Sequence, residues 1–397
     1  MAVLRDRANM STGLDRIAEL ARGQKGVQFT SIAHLLTVTA LERAWGDLRK
    51  DASAGVDGVT YAEYGGHVRE NLEQLHDRLA RGQYRAQPLR RVYIPKEEGT
   101  ERPLSIPALE DKIVQRAVLE LLTAIYEQDF LGWSYGFRPG RSPQEALDEI
   151  GRVICRRPVG YVLEADICAY FDAIVRSQLM ELIEKRVRDG GMLRLIGKWI
   201  NAGVLEDGRL LVTQTGVGQG QVISPLLANI YLHYVLDEWF EDVVKPQLRG
   251  EAYEIRYADD FIFCFQYRED AERVLEELRQ RFEEYGLRLH PDKTRLIEFG
   301  REALTRSEAG GGPKPATFEF LGFTHICQRS RRGKFTIHVR TMRKRLRRSL
   351  KRVSAWCQRH RHEPVVEQGL QCVKCRRVYP IVSDIPVMLV EEALDEG

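Results

Sequence analysis

The sequence predicts an α+β protein of more than one domain, and three observations carry that reading. The first eighty or so residues show helical apolar spacing, the middle of the chain alternates short apolar strands with helices, and two β-rich runs flank a turn to make an antiparallel hairpin. At 397 residues the chain can build a core without disulfide or metal staples.

Thr12 to Arg22 places Leu14, Ile17, Ala18 and Leu20 at helical spacing. Ser31 to Lys50 does the same with Leu35, Leu36, Leu41 and Trp45, with Ser31 as N-cap. After a turn at Gly55 and Gly58, Tyr61 to Leu79 reads as a further helix. From Pro88 the pattern becomes strand-like, with Leu89, Val92 and Ile94 alternating with Arg or Tyr up to Pro95. Ala108 to Tyr126 is helical, and Tyr161 to Ala165 is a short strand ending at Asp166. Helices follow at Ser177 to Val187 and Met192 to Ile200, then a long amphipathic one at Ser224 to Phe240 opened by a Ser-Pro pair. Tyr253 to Tyr257 and Phe261 to Phe265 form the hairpin, with Ala258, Asp259 and Asp260 at its tip. A charged helix, Glu269 to Tyr285, precedes strands near Leu287 to Leu289, Arg295 to Phe299, Phe318 to Phe323 and Phe335 to Val339.

Charge is nearly balanced overall, at +3, but unevenly spread: residues 329 to 362 hold fourteen Lys or Arg and no acid. Such a segment suits a polyanion, whose counterions it displaces. Seven scattered Cys and no secretory signal point to a reducing cytoplasm. The longest uncharged run, Leu210 to Leu236, contains Gly, Pro, Gln, Asn229 and His233 and fails as a membrane span, so no membrane partner is expected.

Turn aspartates often serve only their own turn. Asp259 and Asp260 gain interest from Asp166, a third carboxylate at a strand end, since three such groups on one sheet can converge on a pair of hard divalent cations. Two ions of this kind support in-line phosphoryl transfer. Zinc is disfavoured because no His or Cys cluster lies near these carboxylates in sequence. The chain has no P-loop, dinucleotide fingerprint or serine nucleophile elbow. Gly216-Val-Gly-Gln-Gly-Gln-Val-Ile-Ser-Pro225, just before a helix, lets backbone approach a nucleotide or base pair closely.

Taken in order, these motifs resemble a reverse transcriptase. They are Asp166-Ile-Cys-Ala-Tyr-Phe-Asp172, Gln219-Gly-Gln-Val-Ile-Ser-Pro-Leu-Leu-Ala-Asn-Ile-Tyr231, Tyr257-Ala-Asp-Asp260 and Phe320-Leu-Gly-Phe323. Arg102-Pro-Leu-Ser-Ile-Pro107, Asp111-Lys-Ile-Val-Gln115, Tyr135-Gly-Phe-Arg-Pro-Gly-Arg141 and Ala54-Gly-Val-Asp-Gly-Val59 are similar to the fingers of group II intron-encoded reverse transcriptases, the maturases. The likeness runs from about residue 10 to 368. It implies a right-hand polymerase fold: a helical N-terminal extension over 1–85, fingers over 86–160, an antiparallel-sheet palm over 161–339 and a thumb cut to one basic helix over 340–368.

The resemblance also implies roles. Asp166, Asp259 and Asp260 hold two Mg²⁺, for which Mn²⁺ can substitute, with the Ile167 carbonyl as a further ligand. Lys293 protonates pyrophosphate, while Arg102 and Lys112 grip the incoming triphosphate. Phe171 gates the sugar and Gln219 lies near the nascent pair. Arg138, Arg141, the primer grip Phe320, Leu321 and Gly322, and the thumb residues Arg343, Lys344, Arg347 and Lys351 contact nucleic acid. Expected partners are an RNA template, a DNA or RNA primer, deoxynucleoside triphosphates and a cognate group II intron RNA. Two other readings of the same motifs are a maturase-type RNA-binding protein and a host-adopted defence or repair enzyme, each with weakened polymerisation.

Two positions depart from the family pattern. Gly218-Gln-Gly-Gln221 stands where Pro-Gln-Gly-Gly is usual, and Cys168 stands where Lys or Arg is frequent. Over residues 369–397 the tail, with Cys372-Val-Lys-Cys375, resembles the end of small zinc-ribbon proteins that activate methyltransferases. One such pair supplies only two of four zinc ligands, which favours a recombination scar.

Overall fold

The computed structural model describes residues 2–95, 101–310 and 312–360, with strand segments Gly369–Gln371, Val378–Val382 and Ile385–Pro386. Cys372, Cys375 and the zinc-ribbon-like features of the tail lie outside the described residues. Contacts divide the chain into two compact units, Met1–Leu321 with Ile326–His338, and Gly322–His325 with Val339–Gly397.

In the first unit, helices α1 (Ala2–Gly23), α2 (Val38–Gly46), α3 (Tyr61–Gly65) and α4 (Val68–Ala80) come first. Strands β1 (Leu89–Pro95) and β2 (Glu101–Ile106) form an antiparallel hairpin, followed by α5 (Leu109–Tyr126) and α6 (Pro143–Arg156). Next come β3 (Tyr161–Ala165), α7 (Tyr170–Ala173), α8 (Arg176–Glu184), α9 (Gly190–Ile200), the hairpin of β4 (Val204–Glu206) and β5 (Arg209–Leu211), and α10 (Ser224–Leu232). Strands β6 (Ala252–Tyr257) and β7 (Asp260–Phe265), α11 (Arg268–Glu284), β8 (Arg295–Glu298) and α12 (Arg301–Glu308) complete the central part. After them lie β9 (Phe318–Phe320), β10 (Phe323–Arg329), β11 (Phe335–Thr341) and, in the second unit, α13 (Arg343–His360).

The central sheet has the order β6-β7-β3-β8 and is antiparallel throughout. A second sheet has the order β2-β1-β4-β5, in which β4 joins β1 in parallel. Phe261, Phe263 and Phe265 from one face of β7 are buried with Phe240 and Phe282, and Ile262 and Cys264 on the other face are buried as well, so the β-rich run read from the sequence is a strand covered on both sides.

Several elements differ from the sequence expectation. The segment after Ser31 is a short 3-10 turn, and the helix starts later, where Thr37 Oγ1 accepts from the Ala40 amide. The helix expected over Tyr61 to Leu79 breaks after Gly65, between α3 and α4. The run after Ser224 is not amphipathic: α10 is buried almost all round and widens into π turns at His233–Asp237 and Trp239–Val244. Residues 287–289 make only a bridge, Leu289 against Ile167. α6, with its Ser142–Glu145 capping box, was not read from the sequence, although Ser-Pro-x-Glu carries that signal.

Two buried carboxylates hold distant segments together. Asp189 accepts the amides of Ile32 at 2.6 Å, Ala33 at 2.7 Å, Gly191 at 2.8 Å and Met192 at 3.2 Å, so it caps α9 and pins the N-terminal segment to it. Asp237, fully buried, faces the equally buried Arg256 of β6, whose Nε donates at 2.7 Å. Arg256 Nη1 also donates to Asn229 Oδ1 at 3.0 Å and to the Ala258 carbonyl at 2.9 Å. Its own backbone is flanked by Trp133–Tyr135: the Arg256 amide donates to the Trp133 carbonyl, and its carbonyl accepts from Tyr135.

Asp189→Asn places amide hydrogens against backbone donors and should cost roughly 2–4 kcal/mol in urea unfolding near neutral pH. The four backbone amides outweigh burial and hold the Asp189 carboxyl below its ordinary range. Its stabilisation is therefore present above the unfolded-state pKa and lost as pH falls through the lower folded value, so the gap between wild type and variant should narrow below about pH 4. Asp237→Asn leaves the Arg256 charge uncompensated in the core and should cost about 3–5 kcal/mol by the same measurement. A loss under 1 kcal/mol would show that the pair does not carry the hairpin.

Candidate active site

β6 and β7 close on a two-residue tip, because Tyr257 pairs with Asp260 and leaves only Ala258 and Asp259 in the turn. Asp260 is thus the first residue of β7 and not a loop residue. Ala258 takes a left-handed φ of 58°, a strained choice for a residue with a Cβ. The surroundings enforce it: Arg256 holds the Ala258 carbonyl, and Gly136 lies so close that a Cβ there would be 2.1 Å from the Ala258 nitrogen. Asn229 Nδ2 donates to the Gly136 carbonyl at 2.6 Å, which joins α10 to the same clamp.

β3 lies beside β7, with Ala165 opposite Phe261, so Asp166 and Ile167 continue next to Asp260 and Asp259. The Asp166 carbonyl accepts from His290, and the Cys168 amide donates to Arg288. In that pattern the carbonyl of Ile167 points away from Leu289, to the side of β3 on which β7 lies. Asp259 is half-buried and Asp260 exposed. Burial raises the Asp259 carboxyl above its usual range; the Asp166 charge adds to this, against a backbone hydrogen bond and the nearby Arg102 and Arg256. Asp166 and Asp259 therefore share one field, with Arg102 within its reach.

Lys293 Nζ sits 2.7 Å from Asp166 Oδ2 and is 60% exposed. Two residues away on each strand, Arg295 pairs with Glu164, which also accepts the Glu319 amide at 3.3 Å. Burial raises the Glu164 carboxyl, and Arg295 opposes that. These two rungs fix β8 and the start of β9 to the strand that carries Asp166.

The Gly-rich turn is stitched to both sheets. Val217 N donates to the Phe171 carbonyl at 2.9 Å, and the Gln219 carbonyl accepts from Ser105 of β2 at 2.7 Å. Gly220, at φ 111°, would bring a Cβ to 3.1 Å from the Ser105 oxygen. Gln115 of α5 donates to Gln221 at 2.8 Å and accepts from Val222 N at 3.0 Å. Arg102, Phe171 and Gln219 are thereby drawn to one region.

Other expected residues lie elsewhere. Lys112 is buried and donates to the Ser53 carbonyl at 2.6 Å, and burial lowers its pKa. Arg138 is largely buried, paired with Glu127 and bonded to the carbonyls of Leu131 and Ser134, so it braces the Trp133–Arg141 segment. Arg141 is exposed above the Tyr135 ring. Phe320 is buried, and Leu321 has a positive φ. In the second unit, Gly322 packs against the Arg345 guanidinium, where a Cβ would lie 1.9 Å away. Arg343, Lys344, Arg347 and Lys351 are all exposed on α13. Arg256, Asp237, Gly136 and Glu164 escaped the sequence reading. The available signal was a charged pair, Glu254 and Arg256, inside a short β-rich run.

The donor set is carboxylate and carbonyl oxygen, which suits a hard divalent cation rather than zinc. Among the described residues no three His, Cys, Asp or Glu side chains form a ready cage. No helix among the described residues is long and apolar enough to cross a membrane.

Comparison with known proteins agrees with this geometry. The family model described as reverse transcriptase (RNA-dependent DNA polymerase) matches residues 94–325. Protein YkfC of Escherichia coli (strain K12) is 36% identical over 313 residues, which cover 71% of this chain and 78% of that protein. The group II intron-encoded protein LtrA of Lactococcus lactis subsp. cremoris is 36% identical over 222 residues, 55% of this chain and 37% of LtrA. A 91 kDa protein in the cob intron of Schizosaccharomyces pombe is 35% identical over 200 residues, 50% of this chain and 24% of that protein. With the family match spanning more than half of the chain and containing both strand-end carboxylate motifs, this protein belongs to the reverse transcriptases, the RNA-dependent DNA polymerases.

Proposed function

We propose that the chain is a reverse transcriptase of the group II intron type, which extends a DNA or RNA primer along an RNA template from deoxynucleoside triphosphates and engages its cognate intron RNA. The observation that carries this reading is the shared field of Asp166 and Asp259 at adjacent strand ends, a like-charge arrangement that a cation relieves. The similarity to LtrA supports the intron type. Unpaired cysteines among the described residues support a reducing, cytoplasmic setting.

Asp166, Asp259, Asp260 and the Ile167 carbonyl would hold two Mg²⁺, or Mn²⁺ in their place. Bound there, the ions supply Lewis-acid stabilisation of the attacking and leaving oxygens. Lys293, held on Asp166, keeps a proton beside the position where pyrophosphate departs. Arg102 places positive charge by Asp259 for the triphosphate. The part proposed for Lys112 is to steady the Ser53 segment at the edge of that nucleotide site, through the carbonyl it holds. Phe171 bounds the sugar, and Gln219 is fixed through its own carbonyl to β2. Phe320, Leu321 and Gly322 would seat the primer end. Arg141, with Arg343, Lys344, Arg347 and Lys351, would contact phosphates, so binding should weaken as salt rises.

Primer extension on an RNA template with Mg²⁺ tests the reading. Asp259→Asn should lower the rate by about a thousandfold, some 4 kcal/mol of transition-state stabilisation. Wild-type incorporation by that variant would sink the assignment. Gly136→Ala pushes a methyl group into the hairpin backbone and should cut extension by at least about tenfold through displacement of Asp259, while template affinity stays near that of the wild type. An unchanged rate would show that the clamp does not set the tip.

A further inference from the structure

Arg176 opens α8, where the partial positive charge of a helix N-terminus makes a cation unfavourable. Among the described residues no carboxylate pairs with it, and burial lowers its pKa. Its guanidinium turns instead onto the segment that leads into the Gly-rich turn. Nε donates to the Gly216 carbonyl at 2.8 Å, Nη1 to the Thr213 carbonyl at 2.5 Å and Nη2 to Thr213 Oγ1 at 2.9 Å. Nη1 also reaches Asn201 Oδ1 at 3.4 Å. A half-buried cation bonded to neutral oxygens serves by geometry, since its planar fork of donors grips two carbonyls at once.

The segments on either side of this latch are laced together by backbone. Gly216 N donates to the Ile174 carbonyl at 2.8 Å, Val217 N donates to the Phe171 carbonyl at 2.9 Å, and Val175 bridges Thr215. Gly216, at φ 89°, makes the close approach possible: a Cβ there would lie 3.1 Å from the Asp172 Cα. On the core side, the Tyr170 hydroxyl donates to the Ala228 carbonyl at 2.6 Å. Phe171 therefore sits between a buried anchor and a latch closed by the Arg176 side chain. Opening the latch shifts the Phe171 carbonyl and the path to Gln219 together.

We propose that Arg176 is a positioning residue for nucleotide selection: by holding Thr213 and Gly216 it fixes the spacing between Phe171 and the Gly-rich turn, and so sets how strictly the site refuses a ribonucleotide. The inference rests on the reading of Phe171 as the residue that bounds the sugar. A 2′-hydroxyl is refused there for want of room, and a wall that can yield refuses it less.

Single-nucleotide extension of a primer on an RNA template, with dCTP and CTP titrated separately, tests the assignment. Arg176→Met removes the fork of donors; kcat/KM for CTP relative to dCTP should rise about fivefold, and the loss with dCTP should fall mainly on KM. Arg176→Lys, which can still donate to one carbonyl, should lie between that variant and the wild type. A merely structural arginine would lower kcat/KM for both nucleotides in equal proportion, and such an unchanged ratio overturns the proposal. Phe171→Ala separates the two ways to fail. A ratio raised by that variant but not by Arg176→Met removes the latch alone, whereas a ratio moved by neither removes the sugar-wall reading as well. A wild type that extends the primer with neither nucleotide removes the polymerase reading and this inference with it. If Arg176→Met loses its folded signal in circular dichroism, Thr213→Val, which takes one acceptor from the fork, decides by the same ratio.

Discussion

Everything in the central sheet that bears on chemistry depends on one buried ion pair, Arg256 with Asp237. β6 is an edge strand of its sheet, yet most of it is buried, because the Trp133–Gly136 segment lies along its open side. A guanidinium there would be untenable without compensation. Asp237 supplies the charge, and Asn229 and the Ala258 carbonyl take remaining donors. Glu254, two residues before Arg256, is held well above the ordinary carboxylate range by burial and by the Asp237 charge, against the pull of Arg256. Arg256 and Asp237 thus face each other as a fully buried pair of opposite charges. The useful product of this arrangement is positional: the pair grips a carbonyl in the hairpin turn itself and keeps Ala258 left-handed.

A second constraint is the order of charges across the sheet. Carboxylates occupy the ends of β3 and β7, while Lys293 and Arg295 come from the far side of β3. Lys293 neutralises Asp166 and stays largely exposed, whereas Asp259 makes no ion pair among the described residues and is half-buried. The two acids are therefore unlike: one has a mobile cationic partner on a long stem, the other only the weaker field of Arg102 and Arg256. A divalent ion entering between them would relieve Asp259 most and would compete with Lys293 for Asp166. Glu164 and Arg295 repeat the pairing one step back, which keeps the lysine in register when that competition occurs.

Features set by local pattern were legible in the sequence. The hairpin follows from two β-rich runs around a short turn, and β3, which ends at Ala165, follows from a short apolar run that stops at the carboxylate of Asp166. The basic helix α13 was equally visible from its composition. What escaped depends on contacts between distant residues. Arg256 and Asp237 are nineteen positions apart, and the π turn that orients Asp237 leaves no simple mark in a sequence that reads as ordinary helix. Arg138 looked like a surface cation because nothing local says that Glu127 and two carbonyls surround it. The break between α3 and α4 was signalled by Gly65 and Gly66, but the heptad-like spacing on either side masks it.

The Gly-rich turn shows why two sheets behave as one site. A single backbone bond, Ser105 to Gln219, links β2 to the turn, and Ser105 is only three residues from Arg102. On the other side the turn holds the Phe171 carbonyl through Val217. Gln221 stands where the family pattern has glycine, and its amide lies 2.9 Å from the position a Cβ on Gly218 would take, where that pattern has proline. The two departures compensate in space: the side chain missing at 218 is replaced by the one gained at 221, and Gln115 secures it from α5. The backbone path through Gln219 is thus preserved with different side chains, and Arg102, Gln219 and Phe171 remain tied to one frame. A change in any of these anchors must reach the others through backbone rather than through flexible side chains.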